Sequence, residues 1–200
     1  MRVRTLLNPF SAQQRFTPRP WSELFPAFNG SLDVEIGFGN GGFLEHYAPQ
    51  HPDRYVVGFE IRQQMVGIAR RKIEALNIDN VYLGWGNGNF GLEDLFTDGS
   101  IDRIFVFHPD PWPKAKQHKR RLVNASFLAL VHQKLKPDGQ IFMATDVPEV
   151  WESIQETITA TGLFAPISDT IFWETHYKTR WKEMSLERQR SLFYGTFTKI

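Results

Sequence analysis

Short apolar runs alternate with longer helical patterns along this chain from Leu32 onward, and this alternation constrains the fold more than any other feature. Five of the runs have the length and residue types of buried β-strands. Such an order is typical of β-α units, in which consecutive strands lie parallel and helices cover the sheet. The predicted strands are Leu32–Ile36, Tyr55–Ile61, Val81–Trp85, Ile101–Phe107 and Gln140–Thr145.

Apolar spacing predicts four helices between and after these strands. They are Gly42–Ala48, Arg62–Asn77, Val123–Lys136 and Val150–Thr161, and a Pro-Asp-Gly turn stops the third. Two further strands are predicted near the C-terminus, Ile167–Trp173 and Leu192–Thr198, on either side of a polar stretch. The pattern therefore predicts an α/β fold with a doubly wound, mostly parallel sheet.

Polar side chains stand at or just beyond the ends of the first five predicted strands. Sheets of this type bind ligands beyond the carboxyl ends of their strands, near the point where the strand order reverses. These side chains are therefore expected to gather at one rim of the sheet and to form the functional site. They are Glu35, Glu60, Asn87, Asp110 and Asp146.

A glycine-rich turn follows the first strand. Gly37, Gly39 and Gly42 fit the spacing G-x-G-x-x-G, which by itself suggests a dinucleotide whose pyrophosphate lies at a helix N-terminus. However, Glu35 precedes the first glycine by two residues, and its carboxylate would repel a pyrophosphate. It would instead attract the positive charges of S-adenosylmethionine. The motif favours this methyl donor over NAD, and a purely structural glycine turn is the third interpretation.

Two more residues are candidates for the same cofactor. Glu60 lies 18 positions after Gly42, where an acid commonly accepts hydrogen bonds from ribose hydroxyls. The alternative is an exposed glutamate that caps the next helix. Asn87 is placed to meet an adenine edge, although an Asn-Gly pair is more often a turn. Both residues support an adenosine cofactor without selecting between the methyl donor and NAD.

A proline-rich loop follows the fourth strand. Three prolines fix their own φ and favour an extended conformation for the residue before each, so Asp110 and Trp112 are expected to be held stiffly. Trp112 is a candidate for stacking on a base, or else it closes the loop. His108 precedes the loop and is interpreted as a structural histidine. Asp146 is a candidate for substrate binding or for capping the following helix.

A dense basic run comes next, with five cations within eight positions. This density suits contacts with the phosphates of a nucleic acid, whereas the alternative is the solvated start of a helix. The cations are Lys114, Lys116, Lys119, Arg120 and Arg121.

Composition excludes several classes of function. The 200 residues are enough for one domain, and 23 Lys plus Arg balance 22 Asp plus Glu, so affinity for nucleic acid has to come from local clusters. The absence of cysteine excludes disulfides and thiolate chemistry, and no His or carboxylate spacing indicates a metal. No apolar run approaches the roughly 20 residues needed to cross a bilayer, and no secretory signal is evident. A cytoplasmic protein that does not bind membranes is expected.

Residues 1–31 are predicted to form an N-terminal arm that contacts RNA, and residues 32–200 a single methyltransferase domain. The stretch Asn8–Pro26, rich in proline, aromatic and basic residues, has no regular pattern and is expected to order on a partner. No obligatory protein partner is evident, so a monomer or homodimer is expected.

Three motifs in the region from about Leu32 to Asp146 resemble those of the bacterial tRNA (guanine-N7)-methyltransferases: Glu35-Ile36-Gly37-Phe38-Gly39, Gly58-Phe59-Glu60, and Pro109-Asp110-Pro111-Trp112-Pro113-Lys114 with His118-Lys119-Arg120-Arg121. The resemblance implies a Rossmann-like class I methyltransferase fold with a seven-stranded sheet and an antiparallel edge hairpin. It also implies S-adenosylmethionine as methyl donor, no metal, and N7 of a guanine in the tRNA variable loop as target.

The resemblance also implies roles for particular residues. Glu35 and Glu60 would bind the donor, Asp110 would lie between donor and guanine as the catalytic acid, and Lys114 and Asp146 would bind substrate. The family usually has aspartate where this chain has Asn87. Its C-terminal Thr-x-x-Glu pattern corresponds here to Thr175 through Lys178, with Arg180 as the basic residue that follows.

Three other functions remain open at this point. The first is a methyltransferase of the same fold with a different RNA target. The second is an RNA-binding module whose donor site has decayed, which the departures at Asn87 and Lys178 suggest. The third is an NAD-linked oxidoreductase that uses the glycine motif.

Overall fold

A seven-stranded mixed sheet forms the centre of the computed structural model, which describes residues 13–200. Four parallel pairings join the first five strands, and two antiparallel pairings add the last two at one edge. In the order β3-β2-β1-β4-β5-β7-β6 the strands are β1 (Leu32–Ile36), β2 (Tyr55–Glu60), β3 (Val81–Trp85), β4 (Ile101–Phe107), β5 (Leu135–Thr145), β6 (Phe164–Ile167) and β7 (Phe193–Lys199). The predicted doubly wound sheet with an antiparallel edge hairpin is confirmed.

Seven α-helices accompany the strands among the described residues. They are α1 (Trp21–Leu24), α2 (Gly42–Tyr47), α3 (Gln63–Ala75), α4 (Gly88–Leu95), α5 (Ala125–Lys134), α6 (Pro148–Thr161) and α7 (Arg180–Glu187). Short 3₁₀ turns lie at Ala48–Gln50 and Ala115–Arg120, and a π-helical turn lies at Phe172–His176.

Helix ends follow from local sequence. Asn124 and Thr179 precede α5 and α7 and accept hydrogen bonds from backbone amides inside the helix, at 3.0 Å and 2.9 Å. Proline fits the first turn of α6 because backbone amides in the first turn have no hydrogen-bond acceptor within the helix, so the absence of its N–H costs nothing there. Gly162 ends α6 with a φ of +60°, a conformation that glycine adopts without strain.

The sheet separates two hydrophobic clusters. One cluster lies under α1, α4, α5 and α6, and the other lies under α2, α3 and the π-helical turn. Every residue of β1 and β2 is buried, as expected of central strands covered on both faces. The chain reverses its strand order between β1 and β4, so the carboxyl ends of these neighbours open onto a common rim.

The predicted strand Ile167–Trp173 is wrong. Strand β6 ends at Ile167, and the chain then turns so that Phe172 lies in a π-helical turn. Asp169 accepts a hydrogen bond from the Phe172 amide at 3.0 Å, and the Phe172 ring packs 4.2 Å from that of Phe142. The apolar residues of this run therefore fill the core from a helical turn, which a short apolar run does not distinguish from a strand.

Other elements were missed or had different limits. Helices α1, α4 and α7 were not predicted, and the stretch Asn8–Pro26 includes α1 rather than being wholly irregular. Phe25 directly follows α1, is 2% exposed and packs with its ring centre 4.5 Å from that of Tyr55. Residues 1–12 of the predicted arm lie outside the described residues. Within residues 13–200, no helix has the length and apolarity needed to cross a membrane.

Candidate active site

Two adjoining cavities open at the carboxyl rim of the sheet. The smaller has a volume of about 180 Å³ and lies beside the ends of β2 and β3, and the larger, of about 1070 Å³, lies between the glycine turn, α3 and α7. The residues that line both are Gly37, Arg62, Phe107 and His108. These four residues therefore mark the boundary at which one extended ligand would pass between the cavities.

The glycine turn between β1 and α2 needs three glycines, but not the three that the motif indicates. Positive φ values occur at Gly37 (+82°), Gly39 (+56°) and Gly41 (+76°), whereas Gly42 has an ordinary helical conformation. A Cβ at Gly41 would lie 2.8 Å from that of Ala69, so close packing on α3 also excludes a side chain. Around Gly37 a Cβ would meet nothing within 4 Å, which leaves its face open to a ligand.

Glu35 is a buried carboxylate at the larger cavity. It is 2% exposed, and its Oε2 has no hydrogen-bond partner among the described residues. Burial, and then repulsion from Glu60, raises the pKa of Glu35 well above its usual range. A buried oxygen without a partner is destabilising, and a cationic ligand would remove that penalty.

Glu60 ends β2 and is 3% exposed, so it is not the exposed helix cap of the alternative interpretation. Its carboxylate accepts hydrogen bonds from the Gly39 amide at 2.9 Å and from Arg62 at three points, the amide N at 2.9 Å, Nε at 3.0 Å and Nη2 at 3.1 Å. The acid is thus already tied to the glycine turn. A ligand hydroxyl at this acid has to share it with Arg62 or displace that side chain.

Asn87 lies at the smaller cavity and begins α4. Its Oδ1 accepts a hydrogen bond from the Asn89 amide at 3.0 Å, so the residue is a helix cap rather than part of an isolated turn. The preceding Gly86 has a φ of +153° and leaves room for Phe16, whose ring lies 2.8 Å from where a Cβ would be. Described residues before β1 therefore pack directly behind this part of the rim.

The proline loop carries two residues with unusual backbone geometry. His108 and Trp112 have φ values of +50° and +42°, so the expected extended conformation is wrong for these two residues that precede proline. Such conformations cost about 1–3 kcal/mol each and persist where surrounding structure holds them, often at functional sites. Trp112 is 5% exposed and the guanidinium of Arg120 lies 5.0 Å from its ring centre. This burial supports the interpretation that Trp112 closes the loop.

Asp110 stands between these two residues and lines the smaller cavity together with Glu60 and Asn87. Its negative charge contributes to the raised pKa of Arg62, after the hydrogen bond from Arg62 to Glu60 and in opposition to burial. The rim therefore brings the carboxylates of Asp110 and Glu60 to the same arginine.

His108 is the centre of a buried hydrogen-bond network, as expected for a structural histidine. Its Nε2 lies 2.7 Å from the Tyr177 hydroxyl and its Nδ1 lies 3.4 Å from Asp146 Oδ1. A neutral imidazole with its proton on Nδ1 satisfies both contacts, because the tyrosine then donates and the aspartate accepts. Burial raises the pKa of Tyr177, which keeps its hydroxyl protonated.

Asp146 is fully engaged by other side chains and does not cap α6, whose first turn follows Val147. Its Oδ2 accepts hydrogen bonds from Ser185 Oγ at 2.9 Å and Arg190 Nη1 at 2.8 Å. Burial alone would raise its pKa, but the hydrogen bonds from His108, Arg190 and Ser185 hold the pKa of Asp146 well below its usual range. The capping interpretation is therefore wrong, and Asp146 joins β5 to the α7 region.

The basic run divides into two parts. Lys114, Lys116 and Lys119 are exposed. Arg121 instead holds the loop together, since its Nε donates to the Pro111 carbonyl at 3.0 Å and its Nη1 to the Glu149 carbonyl at 3.3 Å. Lys119, Arg120 and Arg121 also line the smaller cavity. The run forms a 3₁₀ turn. The alternative interpretation, the solvated start of an α-helix, is therefore wrong.

The C-terminal candidates lie in two places. Thr175 and Lys178 are exposed and line neither rim cavity, and the Thr175 carbonyl faces His46 at 3.1 Å. Arg180, at the start of α7, does line the larger cavity. Neighbours that sequence patterns did not single out also line it, namely Thr179, Trp181, Met184 and Arg188. The one signal in the sequence that could have found them is the aromatic and basic composition of residues 173–190.

Comparison with known proteins gives consistent matches. A family model described as "Putative methyltransferase" matches residues 29–195. A tRNA (guanine-N(7)-)-methyltransferase of Synechococcus sp. (strain JA-3-3Ab) is 35% identical over 178 residues, which are 86% of this chain and 75% of that protein. The protein of the same name from Thermotoga maritima is 34% identical over 169 residues, 82% of this chain and 54% of its own length. The chain thus spans about half of the Thermotoga relative.

Solved structures with the same fold are more distant in sequence. An antibiotic-related methyltransferase superposes with a TM-score of 0.62 at 15% identity, covering 89% of this chain and 92% of its own. A SAM-dependent methyltransferase from Aquifex aeolicus gives a TM-score of 0.55 at 15% identity, covering 90% and 87%. These similarities show the fold alone, which is that of class I methyltransferases.

Proposed function

We propose, from the premise that this chain belongs to the tRNA (guanine-N7)-methyltransferase family, that it transfers a methyl group from S-adenosylmethionine to N7 of a guanine in the variable loop of tRNA. The family membership rests on a match over most of the chain. The rim supplies what this reaction needs, namely a site for a cationic donor, an acid beside it and exposed cations for the polymer.

The observation that carries the proposal is the buried Glu35. Its unpartnered Oε2 lies at the cavity beside the glycine turn, where a positive group would favour the ionised carboxylate. The methyl donor brings an ammonium and a sulfonium, whereas NAD would bring a pyrophosphate against this carboxylate. The same observation opposes a decayed donor site, because a site without a ligand would leave the buried oxygen permanently unsatisfied.

The donor fits a path across both cavities. Its adenosine would lie in the smaller cavity by Glu60 and Asn87, and its amino acid part would pass Gly37 towards Glu35. Asn87, whose Oδ1 already accepts a hydrogen bond from the first turn of α4, would lie at the edge of the adenine. When bound, the donor supplies an electrophilic methyl group on a cationic sulfur.

The protein's task in the reaction is alignment. Guanine N7 has a free lone pair at neutral pH, so no base is needed to uncover the nucleophile. Asp110 would accept hydrogen bonds from N1–H or the 2-amino group of the guanine and orient N7 for in-line attack, and positioning of this kind can supply up to about 7–11 kcal/mol. Its carboxylate also stabilises the positive charge that moves onto the purine.

The remaining substrate contacts are assigned by charge and position. Lys114, Lys116 and Lys119 form an exposed surface beside the loop that would meet tRNA phosphates. Arg120 and Arg121 would keep the loop in shape while they add charge at the cavity, and Arg180 would approach the RNA from the opposite wall. Three further candidates line neither rim cavity, namely Asp146, Thr175 and Lys178. They would therefore bind substrate only at the edge of the site or after the protein rearranges.

The wider assignments follow from the same function. The protein would work in the cytoplasm on tRNA, as a monomer or homodimer without an obligatory protein partner. Residues 1–31 would act as an RNA-contacting arm on the domain formed by residues 32–200. Light scattering of the purified protein with and without tRNA checks the oligomeric state.

Incubation of the purified chain with bulk unmodified tRNA and S-adenosylmethionine labelled in the methyl group tests the proposal. Label should appear in tRNA, and S-adenosylmethionine but not NAD should raise the melting temperature of the protein. Binding of tRNA without label transfer would favour the RNA-binding module. Stabilisation by NAD alone would favour the oxidoreductase.

A further inference from the structure

The first turn of α4 brings to the smaller cavity a polar atom that the proposed function leaves without a role. Asn89 lines this cavity, and its side-chain Oδ1 is buried without a hydrogen-bond partner among the described residues. We propose that Asn89 recognises the purine of the methyl donor by accepting a hydrogen bond from its 6-amino group. This inference rests on the proposed function and names a residue that determines which base the donor site takes.

The two asparagines at the start of α4 have different tasks. Asn87 Oδ1 accepts a hydrogen bond from the Asn89 backbone amide at 3.0 Å, which is the cap that begins the helix. The side-chain oxygen of Asn89 belongs to the same turn but is not used by this cap. The first oxygen therefore serves the helix, and the second is suited to a ligand that carries an N–H group.

The unpartnered oxygen of Asn89 is unfavourable in the ligand-free protein, because its lost hydration is not replaced by a protein hydrogen bond. Glu35 Oε2 is in the same situation at the larger cavity. One donor molecule would satisfy both atoms. Its cationic amino acid part would meet the carboxylate of Glu35, and the neutral amino group of its adenine would meet the neutral amide of Asn89.

A second buried atom extends this pattern. Arg120 also lines the smaller cavity, and its Nε has no hydrogen-bond partner among the residues that the structure describes. The cavity thus offers one acceptor and one donor. Adenine has the complementary pattern, because its 6-amino group donates and its ring nitrogens accept. Guanine would instead place its O6, an acceptor, against the oxygen of Asn89, so the pattern favours the adenine of the donor over the target base here.

Close packing fixes the position of Asn89. A Cβ at Gly88 would lie 2.7 Å from Ile36 Cγ2, and a Cβ at Gly91 would lie 2.4 Å from a ring carbon of Phe59. The two glycines therefore let α4 lie directly on β1 and β2, where any side chain at either position would push the helix away. An acceptor that is held in place before the ligand arrives reduces the entropy lost on binding.

Paired changes in the protein and in the ligand test the inference without turnover. The probes are S-adenosylhomocysteine and its analogue in which hydrogen replaces the 6-amino group, and calorimetry gives the Kd of each. The wild type should bind the analogue about 5- to 20-fold more weakly, because the missing N–H leaves Asn89 Oδ1 buried and unpaired. In Asn89→Ala the two Kd values should agree within about twofold, because no oxygen is left unpaired.

Asn124→Ala is the matched control, since Asn124 is another asparagine of the smaller cavity and both atoms of its amide already form hydrogen bonds. Its Nδ2 donates to the carbonyls of Arg121 at 3.1 Å and Leu122 at 3.2 Å, and its Oδ1 accepts from the Phe127 amide at 3.0 Å. This variant should keep the wild-type ratio of the two Kd values. Asn89→Asp, which retains an acceptor, should also prefer the ligand with the 6-amino group.

The same ratio of Kd values in the wild type and in Asn89→Ala would overturn the inference. Loss of the preference in Asn124→Ala or in Asn89→Asp would overturn it as well, because the preference would then not depend on the acceptor at residue 89. Failure of the proposed function would look different. A wild type that showed the expected preference but transferred no label to tRNA would contradict that function alone, whereas a wild type that bound neither ligand would overturn both.

Discussion

Glu35 and Asp146 are both buried carboxylates at the rim, but their surroundings favour opposite protonation states. Glu35 has an oxygen without a partner and a second acid nearby, so its pKa is raised. Asp146 accepts from Ser185 and Arg190 and faces His108, so its pKa is lowered although it is buried. Glu35 is thus suited to a cationic ligand, whereas Asp146 already holds the α7 region against β5.

Glu35→Gln should stabilise the ligand-free protein and weaken donor binding. Because the folded chain holds the Glu35 proton more tightly than the unfolded chain, this group contributes stability that is present below the unfolded pKa of about 4.3 and is lost as pH rises through the folded pKa. The glutamine has no such loss. The variant should therefore melt about 2–4 °C higher at neutral pH, with a smaller difference at acid pH, while its donor Kd rises about 10- to 100-fold.

Thermal melts across pH and calorimetry of donor binding provide these measurements. Donor binding to the wild type should also release protons, which makes its heat depend on the ionisation enthalpy of the buffer. Parallel melting curves of the two proteins at all pH values would show that Glu35 does not titrate as proposed.

Asp110→Asn should lower kcat about 10²- to 10³-fold and leave donor affinity within a few-fold, because the amide keeps the shape but loses the charge that stabilises the methylated purine. Single-turnover label transfer and calorimetry measure the two quantities. Asp79→Asn serves as control, since Asp79 is exposed in the turn before β3 at the opposite end of the sheet. Turnover at the wild-type level in Asp110→Asn would remove this acid from the mechanism.

At the scale of elements, the region after β6 determines how the larger cavity is closed. The π-helical turn buries Phe172 and Trp173, and α7 then returns across the rim to Asp146. Nothing else among the described residues joins α7 to Asp146 as directly as Ser185 and Arg190 do. One carboxylate at the end of β5 is therefore a main anchor of α7, beside the contact of Tyr177 with His108 just before the helix.

Asp146→Asn should loosen α7 in the ligand-free protein. The charge-assisted bond from Arg190 is lost, at a cost of about 1.5–3 kcal/mol, and backbone amides of α7 should exchange hydrogen faster while those of β4 and β5 stay protected. Hydrogen exchange followed by mass spectrometry measures this. If Asp146 served substrate binding alone, exchange in α7 would match the wild type.

The exposed lysines of the basic run should determine the salt dependence of tRNA binding. Lys116→Ala with Lys119→Ala should flatten the plot of log Kd against log salt by up to about 0.9 for each duplex phosphate that the protein no longer neutralises. These two are chosen because Arg121 is bonded to backbone carbonyls, so its removal would also disturb the loop. Removal of Arg70 and Arg71, two exposed cations on α3, is the control. An unchanged slope would indicate a merely solvated surface.

The sequence predicts the elements whose pattern is local. Strands β1, β3 and β4 have the predicted limits because each is a short, mostly apolar run between turn residues. Helix α4 was missed because it contains two glycines, which are unfavourable in helices. The run before Trp173 was misassigned because the tertiary packing of Phe172 determined its conformation. Positive φ at His108 and Trp112 also came from the surrounding fold and not from the prolines.

At the scale of the whole molecule, the doubly wound sheet explains why the sequence predicts where the site lies but not every residue that lines it. Parallel strands place their carboxyl ends at one rim, so residues far apart in sequence, such as Glu35, Glu60 and Asp110, meet there. The opposite wall comes from α7, and its contribution depends on how the chain returns after β6. Hence no local motif in the sequence marked Trp181 or Arg62 as residues that line the site.

The position of the methyl group on the product tRNA separates the proposed function from its alternatives. Bulk unmodified tRNA is incubated with the protein and S-adenosylmethionine, treated chemically to cleave at 7-methylguanosine, and sequenced. Cleavage should appear at a guanine of the variable loop, should require the donor, and should be absent with Asp110→Asn. Methylation at another atom or outside the variable loop, or none by a folded protein that binds the donor, would contradict the proposed function.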